Sequence, residues 1–259
     1  MLILLPPSEG KSVPKRGAAL DLAGLSLPEL TDARRRVLDA LVTLCRDDAT
    51  KAAAVLGLSA GQLDLVDRNA DLPDAPTARA DRIYTGVLYD ALDVATLSAA
   101  AKRRTATRVA VASSLFGMVR FGDRIPSYRL SGDASLPDLG PVAATWREAL
   151  PPVMTAALGR GLLVDLRSGM YANFWKPGPE LAPRVATVRV LHEHQGTRKV
   201  VSHFNKATKG RIVRALLEDG ADPRTPAALA EVLERLGWVV EVGAPGKNGT
   251  QLDVVVSEL

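Results

Sequence analysis

The chain has 259 residues, of which 47% are hydrophobic, 24% charged and only 4% aromatic. That length and apolar content can bury a sizeable core in one large domain or two small ones, and they exclude a disordered chain, a collagen repeat and a disulfide scaffold. A lone cysteine, Cys45, allows no internal disulfide, and MLILLPPSEGK turns polar after five residues, too soon for a signal peptide or a membrane span. A reducing compartment, the cytoplasm, is the expected location.

The net charge of +4 is small but unevenly spread. Residues 94–132 carry Lys102, Arg103, Arg104, Arg108, Arg120, Arg124 and Arg129 against Asp123 alone, and residues 194–217 carry six basic residues and no acid. Together these stretches sum to +12, leaving −8 for the rest of the chain. Such a concentration is either an anion-facing surface, if the fold joins the two segments, or a solvated basic face. Ten of the eleven aromatics lie between Tyr84 and Phe204, interleaved with basic residues. That clustering fits a stacking and phosphate-contacting site, and equally the densest part of a core.

In chain order, residues 1–5 read as a short buried strand ended by Pro6 and Pro7, which remove two backbone donors. A loop with Ser8, Glu9 and Lys11 follows. Residues 27–46 have helical periodicity, with Leu30, Val37, Leu38, Leu41, Val42 and Cys45 on one side and Arg34, Arg35 and Arg36 largely elsewhere. Residues 50–68 read as two short helices broken at Gly57, with Ser59 placed to cap the second, a helix-hairpin-helix outline. Backbone amides at such a turn can bind a DNA phosphate without base contact, although an ordinary helix pair gives the same pattern.

Residues 72–80 have linker composition, and a helical stretch follows the segment 84–89 to about Ala101. Residues 107–113 read as a strand running into Ser113 and Ser114, a junction of the kind where α/β folds place ligands. A long loop with Asp123, Tyr128 and Arg129 comes next. Residues 141–158 read as a helix, 162–166 as a strand, and Arg167, Ser168, Gly169, Met170 and Tyr171 form a second small-polar junction. Strands near 185–192 and 198–203 lead to a helix at about 206–218. GKNG (246–249) joins strands 237–242 and 252–257 as a hairpin. The alternation predicts an α/β (mixed α+β) fold: a single domain over 1–259 with a mixed central sheet, surrounding helices and a helical insertion at about 27–70.

Standard catalytic motifs are missing. The three histidines are His192, His194 and His203; strand alternation puts the first two on one face, but no third ligand is evident and no metal site is expected. There is no GxSxG, no partnered thiol, no Walker A pattern and no GxGxxG, and no cofactor is expected. What remains is Ser202 to Arg211 at a strand-to-helix transition, where Lys206 and Lys209 oppose the helix dipole unless an anion binds there. Arg211 and Arg214 point away from the apolar stripe of that helix.

Five segments carry a resemblance to a known family: the PPSEGK loop, IYTGVLYDAL (83–92), SSLFGMVRFGDRIPSYRL (113–130), VDLRSGMY (164–171) and VSHFNKATKGRIVR (201–214). In these the chain resembles the YaaA family of peroxide-stress proteins over nearly its whole length. It departs from the family pattern at Gly169 and Met170, before Tyr171, and at Thr208, within the run after Phe204. The resemblance implies a cytoplasmic bacterial protein with an α/β fold containing a helix-hairpin-helix, associated with peroxide resistance and with DNA binding that limits iron-driven damage.

Two functions compete. The first is sequence-nonspecific binding of double-stranded or structured DNA by a monomer through Gly57, Lys102, Arg103, Arg104, Arg120, Lys206, Lys209 and Arg211. The second is an enzyme whose polar pocket of Ser8, Lys11, Tyr84, Ser114, Tyr128, Arg129, Ser168, Tyr171, Asn205, Lys206 and Lys209 takes a nucleobase or nucleoside, with Asp123 or Lys206 as acid/base in N-glycosidic chemistry. The plainer alternative for Asp123 is a pair with Arg129 that locks the loop. No membrane partner is expected.

Overall fold

The computed structural model describes residues 1–195, 197–200 and 202–257, without the side chains at 197, 202 and 203. Among these residues the strands are β1 (Leu2–Leu5), β2 (Ala78–Arg79), β3 (Val109–Ser113), β4 (Gly117–Arg120), β5 (Arg124–Ile125), β6 (Ser135–Leu136), β7 (Gly140–Pro141), β8 (Leu163–Asp165), β9 (Val185–His194), β10 (Thr197–Lys199), β11 (Val239–Gly246) and β12 (Gly249–Val256). The α-helices are α1 (Thr31–Asp47), α2 (Ala49–Val55), α3 (Asp64–Ala70), α4 (Ala80–Ile83), α5 (Val87–Leu92), α6 (Ala99–Arg108), α7 (Val142–Leu158), α8 (Gly169–Ala172), α9 (Ser202–Asp219) and α10 (Pro226–Arg235).

The main sheet has the order β11-β12-β9-β8-β1-β3-β4, with β10 paired to β9. Its interior pairs, β12 with β9, β9 with β8, β8 with β1 and β1 with β3, are parallel, and the flanking pairs are antiparallel. This is the mixed α/β architecture that the alternation of elements predicts. β1 is wholly apolar because both faces of a central parallel strand are covered; all four residues are buried. The buried side chains form one contiguous core that includes α1 and runs through the sheet to α9 and α10.

Helix α9 packs along α5, and Gly210 sets how closely. A Cβ at that position would lie 2.2 Å from the Leu88 carbonyl oxygen, so a residue with no side chain is needed for the two helices to meet.

Several boundaries differ from the sequence reading. The helical stretch expected to run to Ala101 is two helices: Asp93 adopts a left-handed conformation at φ 42° and ends α5, and Ser98 caps α6. The segment after Ser114 is not only loop, since β4 folds back on β3 from Gly117 (φ 70°). The expected strand at 198–203 is β10 alone; Val201 lies outside the described residues and α9 starts at Ser202. Arg34 is not on a solvent face: it is wholly buried, because its guanidinium fills a gap between α1 and the β4 hairpin.

Candidate functional site

The chain leaves β1 for β3 on one side, whereas β8, the other neighbour of β1, leads to β9 on the opposite side. A parallel sheet opens a crevice where connections diverge in this way, outside the carboxyl ends of the strands. Leu5 pairs with Val111 and Leu4 with Asp165, so the loops at 6–11, 113–116 and 167–171 all emerge at that end.

The first loop is shaped by hydroxyl groups from the segment around α5. Tyr89 OH donates to the Pro6 carbonyl at 2.7 Å, the Thr85 amide donates to Ser8 Oγ at 3.1 Å, and Ser8 Oγ and Thr85 Oγ1 both donate to the Gly10 carbonyl. Lys11, bridged to Tyr84 through the backbone, folds back over its own loop. Its Nζ donates to the carbonyls of Ser8 at 2.8 Å and Glu9 at 3.4 Å, and lies 4.2 Å from the ring centre of Tyr128 and 5.8 Å from that of Tyr84. Burial, reinforced by the Arg129 charge and opposed by Glu9, pushes the Lys11 ammonium down to about 7.

The second loop supplies hydroxyls. Ser113 Oγ and Tyr128 OH share a hydrogen bond of 2.8 Å, and Tyr128 OH lies 3.2 Å from Tyr84 OH. Ser114 Oγ turns to the Leu130 carbonyl at 2.7 Å. Arg129 is fixed through its backbone, whose N–H and carbonyl both bond the Asn69 side chain. Its Nη1 is 3.6 Å from Glu9 Oε2, and its Nε is buried with no hydrogen-bond partner among the described residues.

In the third loop, Arg167 forms a buried two-pronged pair with Asp165 at 2.9 and 2.7 Å, donates to the Tyr171 carbonyl, and lies over Trp175. Tyr171 packs edge-on against Phe174; burial, aided by the Tyr128 phenol, raises its pKa. Lys209 Nζ donates to the Leu166 carbonyl at 3.0 Å, with its pKa lowered by burial against the opposing pull of Asp165. Asn205, one turn earlier on the same face of α9, has a buried Oδ1 with no partner among the described residues. Ser168 is exposed at the rim.

The three loops therefore bring together Ser8, Lys11, Tyr84, Ser114, Tyr128, Arg129 and Tyr171, with Asn205 and Lys209 beside the third. They do not gather Asp123. It sits beyond β4, at the opposite end of the hairpin from Ser113, where its carboxylate accepts from the amide and hydroxyl of Ser26 and the amide of Arg120. Nor does it pair with Arg129, whose carboxylate neighbour is Glu9. Lys206 is exposed.

The basic segments divide in a way that charge counting does not show. Arg104 donates to Leu217 O, Arg108 to Gly220 O and Ala221 O, Arg120 to Thr107 O, Arg124 to Thr77 O and Arg214 to Leu92 O and Asp93 O. Arg198 pairs with Glu193 and Glu241. Lys102, Arg103, Lys206 and Arg211 remain exposed. Gly57 has φ 62° after α2, but Ser59 with Gln62 forms a capping box on the short turn at Ala60–Gln62 and does not cap the second helix, since α3 starts at Asp64 with no side-chain cap. The surrounding span 47–74, however, holds six aspartates against Lys51 and Arg68, a field that disfavours phosphate.

Ser113 and Arg167 figure in the sequence reading only as junction residues, and Tyr89, Thr85 and Asp165 are passed over. Their signal was present in IYTGVLYDAL and VDLRSGMY, but hydroxyls that shape a loop 77 to 83 residues away have no local pattern. Among the described residues no three His, Cys, Asp or Glu side chains could hold a metal ion. His192 is buried against Phe204, His194 is exposed, and the His203 side chain lies outside the described residues. Among the described residues no helix is long and apolar enough to cross a membrane.

Comparison with known proteins places these features in a family. The family model described as peroxide stress protein YaaA matches residues 1–242. A UPF0246 protein of Streptomyces coelicolor is 56% identical over 261 residues, covering 100% of both chains. One of Corynebacterium efficiens is 42% identical over 98% of this chain and 100% of its own, and one of Corynebacterium glutamicum strain R is 39% identical over 93% and 95%. The chain thus belongs to the YaaA (UPF0246) family of peroxide-stress proteins.

Proposed function

We propose that the crevice at the carboxyl ends of β1, β3 and β8 is the working site of an enzyme acting on a nucleobase or nucleoside. Lys11 carries this reading: an amine that titrates near neutrality, placed against an aromatic face at the topological switch point. A group with its pKa near the operating pH exchanges protons with a bound ligand most effectively. Tyr171, half-buried at the rim, offers stacking surface to a base, and Lys11, seated on the buried Tyr128 ring, takes the acid/base role that the sequence assigned to Asp123 or Lys206. The lone buried Cys45 suits a reducing cytoplasm. Thermal shift against a nucleoside and nucleotide panel tests the reading. A stabilising ligand whose effect is lost in Lys11→Met and kept in Arg103→Ala supports it; no stabilisation by any member overturns it.

A second reading, sequence-nonspecific DNA binding, draws on the exposed Lys102, Arg103, Lys206 and Arg211 and on the resemblance stated above. Its signature is a log affinity that falls linearly with log salt, by about 0.9 per phosphate contact. Arg103→Ala then lowers that slope by about one while Lys11→Met leaves it unchanged.

A further inference from the structure

Two cations meet in the crevice without adequate counter-charge. Lys11 Nζ is held by two carbonyls of its own loop and by the face of Tyr128, none of which carries a negative charge. Among the described residues, the carboxylate that Arg129 reaches is Glu9, at 3.6 Å, and that carboxylate is 89% exposed. The buried Arg129 Nε has no acceptor among the described residues. A buried donor left unmade is costly, more so on a charged group, and here it sits beside a second cation. The groups facing Lys11 are Arg129, Glu9 and the phenols of Tyr84 and Tyr128, so the local field stays positive. These donors suit a compact anion with several acceptor atoms.

We propose that Lys11 and Arg129 jointly hold an oxyanion, so that the crevice takes a phosphorylated ligand, a nucleoside monophosphate in preference to the free base or nucleoside. This deepens the preceding reading by naming the charged end of the ligand, and it rests on that reading only for the base. The anion accepts from Arg129 Nε and from the one Lys11 N–H not used by its loop, in charge-assisted bonds.

Inorganic sulfate is the first probe, because its charge is constant through neutral pH, with chloride at equal ionic strength as the control. Calorimetric titration of the wild type is expected to show sulfate binding at pH 6.5 that weakens roughly 20-fold by pH 8.5, as Lys11 deprotonates around 7. Lys11→Met and Arg129→Gln are each expected to weaken it about tenfold or more. Lys11→Arg keeps the charge and cannot titrate, so it retains binding and loses the pH dependence. That arm decides the matter if Lys11→Met fails to fold. Absence of sulfate binding at pH 6.5, indifference to all three substitutions, or equal competition by chloride would each overturn the proposal.

A parallel titration with adenosine and adenosine monophosphate separates the two ideas. If sulfate and the monophosphate bind equally well and no nucleoside in the panel binds, the oxyanion site stands and the nucleobase reading falls. If nucleosides bind and sulfate does not, the reverse holds.

Discussion

Two sets of cations in this protein do opposite things. Along α1, α6 and α9, guanidinium groups end on backbone carbonyls: Arg34 reaches Ser26 O, Leu27 O, Phe116 O and Met118 O, Arg104 reaches Leu217 O, and Arg214 reaches Leu92 O and Asp93 O. Each ties a helix end, a turn or the β4 hairpin to another segment through its carbonyls, of which Leu27 O, Phe116 O and Asp93 O also accept a backbone N–H. In the crevice, Lys11 lies within electrostatic reach of Arg129, and the exposed Glu9 is the carboxylate that opposes them. The first set is satisfied and structural, and the second is left short of partners. Charge excess along a sequence therefore measures demand for carbonyl donors as much as affinity for anions.

The contrast is broken most severely at Arg34. Arg34→Ala removes four bonds and the guanidinium's volume from a fully buried site, and is expected to cost about 3–5 kcal/mol in urea denaturation. A loss under about 1 kcal/mol would mean that water replaces the guanidinium. Arg214→Ala, at a partly open helix end, is expected to cost about 1–2 kcal/mol by the same measurement, because solvent reaches the Leu92 and Asp93 carbonyls more readily.

Lys11→Met should have the opposite sign. The folded state lowers the Lys11 pKa from 10.5 to about 7, so between those values the unfolded chain binds the extra proton and wild-type stability rises with pH relative to the variant. The variant is therefore expected to melt higher than wild type near pH 6, and the gap to narrow steadily from pH 7 toward pH 10. A gap that widens with pH would refute the burial of a charged amine. The smallest effect belongs to Arg103→Ala, whose stability is expected to stay within about 0.5 kcal/mol of wild type, as for an exposed helix position.

Legibility from sequence followed the range of the interactions. β1, α1, α7, β8 and the β11–β12 hairpin declare themselves through local apolar patterning and proline or glycine stops. The two small-polar junctions announced the second and third loops of the crevice because strand ends in α/β sheets are where ligands meet the fold. Arg34 could not be read, since helical periodicity assigns a face and says nothing about a carbonyl-lined gap some 80 residues away. Asp123 was misleading for a related reason: a carboxylate beside aromatic and basic residues resembles a catalytic acid until Ser26, far upstream, is found to satisfy it. Lys11 was visible as a loop lysine, but its burial under Tyr128 depends on a contact that no spacing encodes.

The place of β1 in the sheet also bears on how the chain reaches its native state. Its two neighbours, β3 and β8, are both more than a hundred residues away in sequence, and no adjacent hairpin can shelter it meanwhile. Until both arrive, LILL presents two bare edges and two greasy faces, the profile of a segment prone to aberrant pairing. Pairings of such long sequence separation are slow to form, so the assembly of this domain is governed by a strand made early and completed late. The proline pair that ends β1 limits how far any wrong partner can extend along it.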